Sequence, residues 1–437
     1  MNKRLLLLST LRSLAPKPAS RLRGSQHIAA GILLAIFTII IAGLALTNRS
    51  GWEINFPLKS LSGGKPIKAD TVSTRLKVAD AYVIELFADN LKGPRLLQFT
   101  PSGHLIVSQP GAGEILIFHR QAKGNLSSTP AVLMSNLTRP HGIDVYQRWL
   151  YVAEMHRVIR IPFDDASGSV SGNIEVLVSD LPTGGNHRSR SLQFGPDGKM
   201  YVSIGSSCNV CIESDPYRAS IWRFKPDGSD GQLFASGLRN SVGLAWSPRG
   251  SLYATDNGRD LLGDELPADE LNRIEAGAFY GWPFYYSHQG ETVMDADLKH
   301  PELKQNAVTL PVYEFRAHNA PLGLHFLQSP RHPEQYQNAL AVALHGSWNK
   351  SYKDGYKVVL LSNVEATTHD SDSDSTPKDK NININTMDFV WGFLEDDQVI
   401  GRPVDIAEDD EGTLYLSDDY GGAVYKIMLK KQNLQNY

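Results

Sequence analysis

Phe194-Gly195-Pro196-Asp197-Gly198-Lys199-Met200-Tyr201-Val202-Ser203 reads as a turn followed by a strand. Pro196 presets φ for a β-turn, Gly198 supplies the positive φ that closes it, and the residues after it alternate with the period of a half-buried strand. The phrase recurs as Phe99-Thr100-Pro101-Ser102-Gly103-His104-Leu105-Ile106-Val107-Ser108, Val145-Tyr146-Gln147-Arg148-Trp149-Leu150-Tyr151-Val152-Ala153-Glu154 and Trp246-Ser247-Pro248-Arg249-Gly250-Ser251-Leu252-Tyr253-Ala254-Thr255. Weaker copies run from Asn338 to Leu344 and from Ala407 to Ser417, which makes six. Further strands follow the hairpins at residues 114–118, 221–224, 357–361 and 423–427. Repeats of this length, each too small to bury its own apolar face, predict an all-β fold, a six-bladed β-propeller over residues 75–430. Six blades of about 45 residues use roughly 270 residues, so the excess lies in loops. The two longest are residues 256–309, rich in aromatics and carboxylates, and 366–385, a Ser/Asp/Asn/Thr tract expected to be a solvated loop.

Composition excludes collagen-like, coiled-coil, globally disordered and disulfide-scaffold chains. The net charge of −4 hides a split: residues 1–50 carry seven basic and no acidic side chains, leaving 36 basic against 47 acidic in the rest. From Ile28 to Leu46 no residue is charged, and 19 residues at ~1.5 Å each make about 28 Å of helix, enough for one membrane crossing. Basic residues concentrated before the span keep the amino terminus cytoplasmic and export the remainder. The expected organisation is a basic leader (1–27), a single transmembrane helix (28–46), a linker (47–74) and a propeller on the periplasmic, extracytoplasmic side of the cell membrane. A cleaved signal peptide is the competing reading of the same span. An acidic body makes nucleic acid a poor partner.

Cys208 and Cys211 form one Cys-x-x-Cys without the second pair that a zinc site needs, and Ile212 stands where haem attachment needs histidine. A local disulfide is the favoured reading, with reduced thiols the alternative. Polar, glycine-rich loops mark candidate chemistry. His187, in Gly184-Gly185-Asn186-His187, is either a general base or a solvated loop histidine. Arg239-Asn240 is either an anion clamp or a structural ion-pair partner. The acidic loop through Asp256, Gly258, Arg259 and Asp260 offers oxygen ligands suited to calcium, without the EF-hand spacing. Smaller pieces surround His141, His318, Lys350 and Arg402.

Taken in order, Gly184-Gly185-Asn186-His187, Phe194 to Gly198, Gly237-Leu238-Arg239-Asn240, Leu252 to Gly258, Asp269-Glu270-Leu271-Asn272 and Tyr280-Gly281-Trp282-Pro283 resemble the pyrroloquinoline quinone (PQQ)-dependent sugar dehydrogenases, most closely the sorbosone dehydrogenase branch. The resemblance implies a six-bladed propeller holding PQQ and calcium at the channel mouth. It makes His187 the base that deprotonates a sugar hydroxyl or hydrated aldehyde. It assigns Arg239 and Asn240 to PQQ, Arg239 also stabilising charge on the reduced quinone. The backbone carbonyls of Gly258 and Arg259 become calcium ligands, and Arg402 and Lys350 become cations for the cofactor. Asn186 stands where soluble glucose enzymes carry aspartate, His141 near a cofactor-contacting glutamine, and Val404 in place of a second arginine. Sugar substrate and an external acceptor, a quinone or cytochrome, are the implied partners. Two other classes fit the fold: a calcium-dependent lactonase using the same channel, and a non-catalytic glycan- or protein-binding propeller.

Overall fold

Each repeated phrase folds as the hairpin between the two innermost strands of an antiparallel blade. The computed structural model describes residues 64–430 except 123, 299, 301 and 366–383. Blade 1 comprises Leu97–Phe99, Leu105–Gln109, Glu114–Phe118 and Ala131–Met134. Blade 2 comprises Gly142–Tyr146, Trp149–Ala153 and Val158–Asp164, with Glu175–Val178 and Ser169–Val170 on its outer edge. Blade 3 is Arg190–Phe194, Met200–Ile204, Ser220–Phe224 and Gln232–Ser236; blade 4 is Leu244–Trp246, Leu252–Asp256, Asp269–Ile274 and Tyr313–Phe315. Blade 5 is Pro321–Phe326, Leu340–Leu344, Lys357–Ser362 and Asn385–Trp391, flanked by Lys77–Val78. Blade 6 takes Pro403–Glu408, Leu414–Asp418 and Ala423–Leu429 from the carboxyl end and its outermost strand, Tyr82–Ala88, from the beginning of the body. The ring therefore closes by antiparallel pairing of distant parts of the chain, Tyr82 opposite Leu429 and Leu86 opposite Tyr425.

The second strand of five blades is buried at every position, because neighbouring blades pack on both of its faces. Such strands cannot alternate with polar residues, which is why Leu340-Ala341-Val342-Ala343-Leu344 is uniformly apolar. Innermost strands of adjacent blades do not form ladders with one another, so side chains bridge them. Ser203 Oγ donates to Ser241 O (2.7 Å), Thr255 Oγ1 to Leu322 O (2.6 Å) and Ser417 Oγ to Arg95 O (2.6 Å). Asp144 Oδ2 accepts from Phe194 N and Asp405 Oδ2 from Leu97 N, both at 2.8 Å. These bonds satisfy backbone groups that the channel would otherwise leave bare. Along the axis lies a cavity of about 180 Å³ bordered by all six blades, including Leu97, Ile143, Leu192, Gly243, Leu324 and Ile406.

Residues 256–309 are less of an insertion than their composition implies. Asp269–Ile274 within them is the third strand of blade 4, disguised because Asp269, Glu270 and Asn272 are polar yet buried. A hairpin of Tyr285–His288 and Glu291–Met294 follows it. The 366–385 tract lies mostly outside the described residues, although Asn385 already belongs to blade 5. The proposed membrane segment 28–46, with its leader and most of the linker, also lies outside them. Among the described residues no helix is long and apolar enough to cross a membrane.

Burial raises Asp405 from 3.8 to about 7. The folded chain thus binds a proton that the unfolded chain lacks between those values, and this contribution to stability is full below pH ~4 and lost as pH rises through 7. Asp405→Asn keeps an oxygen to accept from Leu97 N–H without a charge. Thermal melts between pH 5 and 9 are expected to show the variant gaining on the parent as pH rises.

Candidate active site at the channel mouth

The residues entering each innermost strand meet those leaving the second strand, because the two run antiparallel. Arg95, His141, His187, Arg239-Asn240, His318-Asn319 and Arg402 all precede innermost strands and gather at one mouth of the channel. They meet Ser206, residues 257–260, His345 and Asp419, which follow second strands.

His187 is half-buried. Its Nδ1 lies 3.0 Å from Ser206 O and 2.9 Å from Ser206 Oγ. The carbonyl can only accept, so Nδ1 carries the proton of the neutral ring and Nε2 keeps its lone pair; no described residue hydrogen-bonds to Nε2. Burial, then the positive charge of Arg239, pushes the imidazole down to about 3. The loop is held from beneath by two arginines. Arg190 NH1 donates to His187 O (3.0 Å), and Arg218 NH1 donates to both His187 O (3.2 Å) and Gly205 O (3.1 Å). Gly205 is required here. A Cβ on it would lie 2.6 Å from His187 Cβ and 2.9 Å from Asn240 Oδ1, so the absence of a side chain lets the two candidate groups approach. The Asn186 side chain is exposed, while its N–H donates to Ser207 O at 2.8 Å.

Arg239 is only 4% exposed, and all five of its guanidinium N–H donors are used. Nε donates to Asn209 O (3.0 Å), NH1 to Asn257 O (3.2 Å) and Gly258 O (2.8 Å), and NH2 to Asn209 Oδ1 (2.9 Å) and Asp260 Oδ2 (3.1 Å). Asp256 fixes the backbone here, accepting from Arg239 N (3.0 Å), Asn240 N (2.8 Å) and Ser241 Oγ (2.9 Å). Burial, aided by the facing Glu270, raises Asp256 to about 8.

Arg402 is in the opposite condition. No described residue hydrogen-bonds to its guanidinium, and its Nε is buried without a partner. A half-buried cation at a channel mouth with donors unmet by the protein fits an anionic carboxylate. Asn319 Nδ2 is likewise buried and unpaired. Val404, which stands where the resemblance has a second arginine, is fully buried and packs with Val242 and Leu322. His141 is buried and accepts from Arg95 Nε at 3.3 Å. Lys350 is buried too, but its ammonium lies 3.2 Å from Asp354 and is neutralised within its own loop.

Sequence reasoning missed the Arg95 network. Arg95 NH1 lies 2.7 Å from Asp419, which also bonds His345 Nε2 at 2.9 Å, tying blades 1, 5 and 6 together. Arg95 stands just before the first innermost strand as Arg402 stands before the last, and that position was the available signal. Ser206 and Asn209 were also missed, hidden inside the cysteine motif. Cys208 and Cys211 form a disulfide, as the favoured reading expected.

For calcium, the Gly258 carbonyl already accepts from Arg239, but its second lone pair can serve a cation, and oxygen ligands suit a hard ion. The Arg259 side chain spends its donors within the protein: Nε donates to Asp260 O (3.4 Å), and the rest of the guanidinium enters a buried ion pair. Its NH1 lies 2.7 Å from both oxygens of Asp295, and its NH2 2.8 Å from Asp297.

A family model described as TrAA12-like matches residues 76–431, and the chain belongs to that family. An uncharacterised protein of Borreliella burgdorferi is 29% identical over 379 residues, 84% of this chain and 94% of that one. The aldose sugar dehydrogenase YliI of Escherichia coli is 24% identical over 339 residues, 68% of this chain and 86% of that one. Among solved structures, the holo PQQ domain of a Coprinopsis cinerea pyranose dehydrogenase superposes with a TM-score of 0.69 at 20% identity, covering 84% of this chain and 99% of that domain. A calcium structure of a Trichoderma reesei family AA12 enzyme gives 0.68 at 20% identity over 85% of this chain and 100% of the other.

Removing Arg259 leaves Asp295 buried and unpaired, so Arg259→Met is expected to cost about 3–5 kcal/mol in denaturant unfolding. Adding Asp295→Leu is expected to recover most of that loss.

Proposed function

We propose that this TrAA12-like chain is a PQQ- and calcium-dependent oxidoreductase that oxidises a sugar, a sugar aldehyde or a related alcohol. In this reading the segment 28–46 anchors it, and the propeller faces the extracytoplasmic side, where a separate quinone or cytochrome receives the electrons. One observation carries the chemistry: a neutral histidine with a free Nε2 shares the mouth with one arginine whose donors are spent and another whose donors are not. The names borne by the E. coli relative and the C. cinerea domain support the same substrate class and cofactor, and the T. reesei calcium structure supports the metal.

When bound, PQQ supplies an electrophilic quinone able to accept a hydride. Its carboxylates suit Arg402 and Asn319, which have donors to give, and the Asn240 amide, whose Nδ2 makes only a long 3.4 Å contact with Asn257 Oδ1, would add a donor. Calcium would be held by the carbonyls of Gly258 and Arg259. His187 Nε2 takes the proton of the substrate hydroxyl while Nδ1–H holds the ring against Ser206 and stabilises the imidazolium that forms. Because burial and Arg239 keep the ring neutral, the base is available throughout the neutral range. Negative charge entering the mouth opposes Arg239 and raises the imidazole towards a value useful for proton transfer. Arg239, with no donor to spare, acts as a fixed positive charge towards electron density accumulating in the site.

The test is dye reduction by the exported body, loaded with PQQ and calcium, across a panel of aldoses, sugar aldehydes and polyols. Turnover with at least one of them is expected. Hydrolysis of sugar lactones without dye reduction would replace this reading with a hydrolase. His187→Ala is expected to keep PQQ affinity and lose turnover by ~10²-fold or more.

A further inference from the structure

The segment joining the second and third strands of blade 3 contains the disulfide-closed turn Cys208–Cys211, and this turn touches both halves of the site. Asn209, between the two cysteines, uses every polar atom of its side chain. Oδ1 accepts from Arg239 NH2 (2.9 Å) and Asp260 N (2.8 Å), while Nδ2 donates to Asp260 O (3.0 Å). Its backbone carbonyl accepts from Arg239 Nε (3.0 Å) and from the Trp282 indole (3.2 Å). Asn209 thus takes two of the five Arg239 donors and fixes the orientation of the guanidinium plane.

The same turn reaches the histidine. Ser206, which orients the His187 ring, donates its own hydroxyl to Cys208 O at 2.7 Å. Ser207 accepts from Asn186 N at 2.8 Å and packs so closely on Gly185 that a Cβ there would lie 2.2 Å from Ser207 O. Glu213 accepts from Ser207 Oγ at 2.8 Å and closes the base of the turn. Apart from the disulfide, the 206–211 backbone belongs to no strand, so the sulfur bridge is its covalent constraint.

We propose that Asn209 is a positioning residue for Arg239, and that the Cys208–Cys211 disulfide holds Asn209 and Ser206 so that Arg239 and His187 keep one fixed relation. The proposal rests on the dehydrogenase reading of these two groups. It goes beyond that reading by assigning the cysteine turn a part in the reaction.

Two full-chain variants test it: Asn209→Ala, which keeps the disulfide, and the pair Cys208→Ser/Cys211→Ser. Asn209→Ala is expected to lower kcat ~10-fold or more with KM within about threefold, read at a temperature well below its melting point, which falls because Arg239 and Asp260 N lose an acceptor. Asn209→Asp, which retains the acceptor for Arg239, is expected to recover part of the loss. In the apo protein, two-bond ¹H–¹⁵N spectra should show His187 as one Nδ1–H tautomer in the parent and as a mixture in the cysteine pair. Wild-type kcat in Asn209→Ala, or no better activity in Asn209→Asp than in Asn209→Ala, overturns the assignment to Asn209. An unchanged His187 tautomer in a folded cysteine pair overturns the role of the disulfide. If the parent reduces no dye with any sugar, the dehydrogenase reading fails, and the tautomer measurement alone decides whether the turn positions His187. If the cysteine pair does not fold, the His187 tautomer is read in the parent before and after reduction of the disulfide under native conditions, with the same two outcomes.

Discussion

The pairing of Tyr82–Ala88 with Ala423–Leu429 is the contact on which the rest depends. A propeller has no sequence-local core; each blade buries its faces only against its neighbours, so an open ring leaves two of them bare. The seam is reinforced at the end of blade 6's innermost strand. Tyr82 OH bonds His332 Nδ1 at 2.9 Å, and Glu408 bridges His332 (2.8 Å) and His325 (3.1 Å). Closure fixes the six innermost strands around one axis and thereby sets His187, Arg239 and Arg402 at a common mouth, although more than 200 residues separate the first from the last.

Within that mouth, hydrogen-bond saturation assigns the parts. Desolvating a guanidinium is costly unless its donors are met, and Arg239 meets all five with protein oxygens. Its place in the site is therefore electrostatic and rigid. Arg402, partly buried with Nε unmet, carries a cost that an incoming anion removes. His187 lies between these conditions: one nitrogen is committed to Ser206 and the other is free. The arrangement is preorganised, which is the property that electrostatic stabilisation requires.

Much of the fold was legible because turn chemistry and strand period recur together; the Pro-x-Gly phrases mark the inner hairpins directly. Asp269–Ile274 was not legible as a strand, since its buried carboxylates are accommodated by bonds to Gly258, Ala320, Ser287 and Asn272 that only the fold supplies. The mouth residues stood out through their loops, but their condition did not. Nothing local says that Arg239 is spent and Arg402 unspent, because their partners come from other blades and from the cysteine turn. Lys350 looked equally available and proves to be paired with Asp354. Arg259 looked relevant through its carbonyl alone, and its side chain turns out to neutralise Asp295.

The proposed function requires the channel mouth to take an anionic quinone. Titrating the full apo chain with PQQ, with and without calcium, while following quinone absorbance, tests this most directly. One equivalent should bind saturably and more tightly with calcium, and Arg402→Met should weaken binding by roughly tenfold to a hundredfold, the worth of a charge-assisted hydrogen bond. Absence of binding, or binding indifferent to Arg402, would contradict the account.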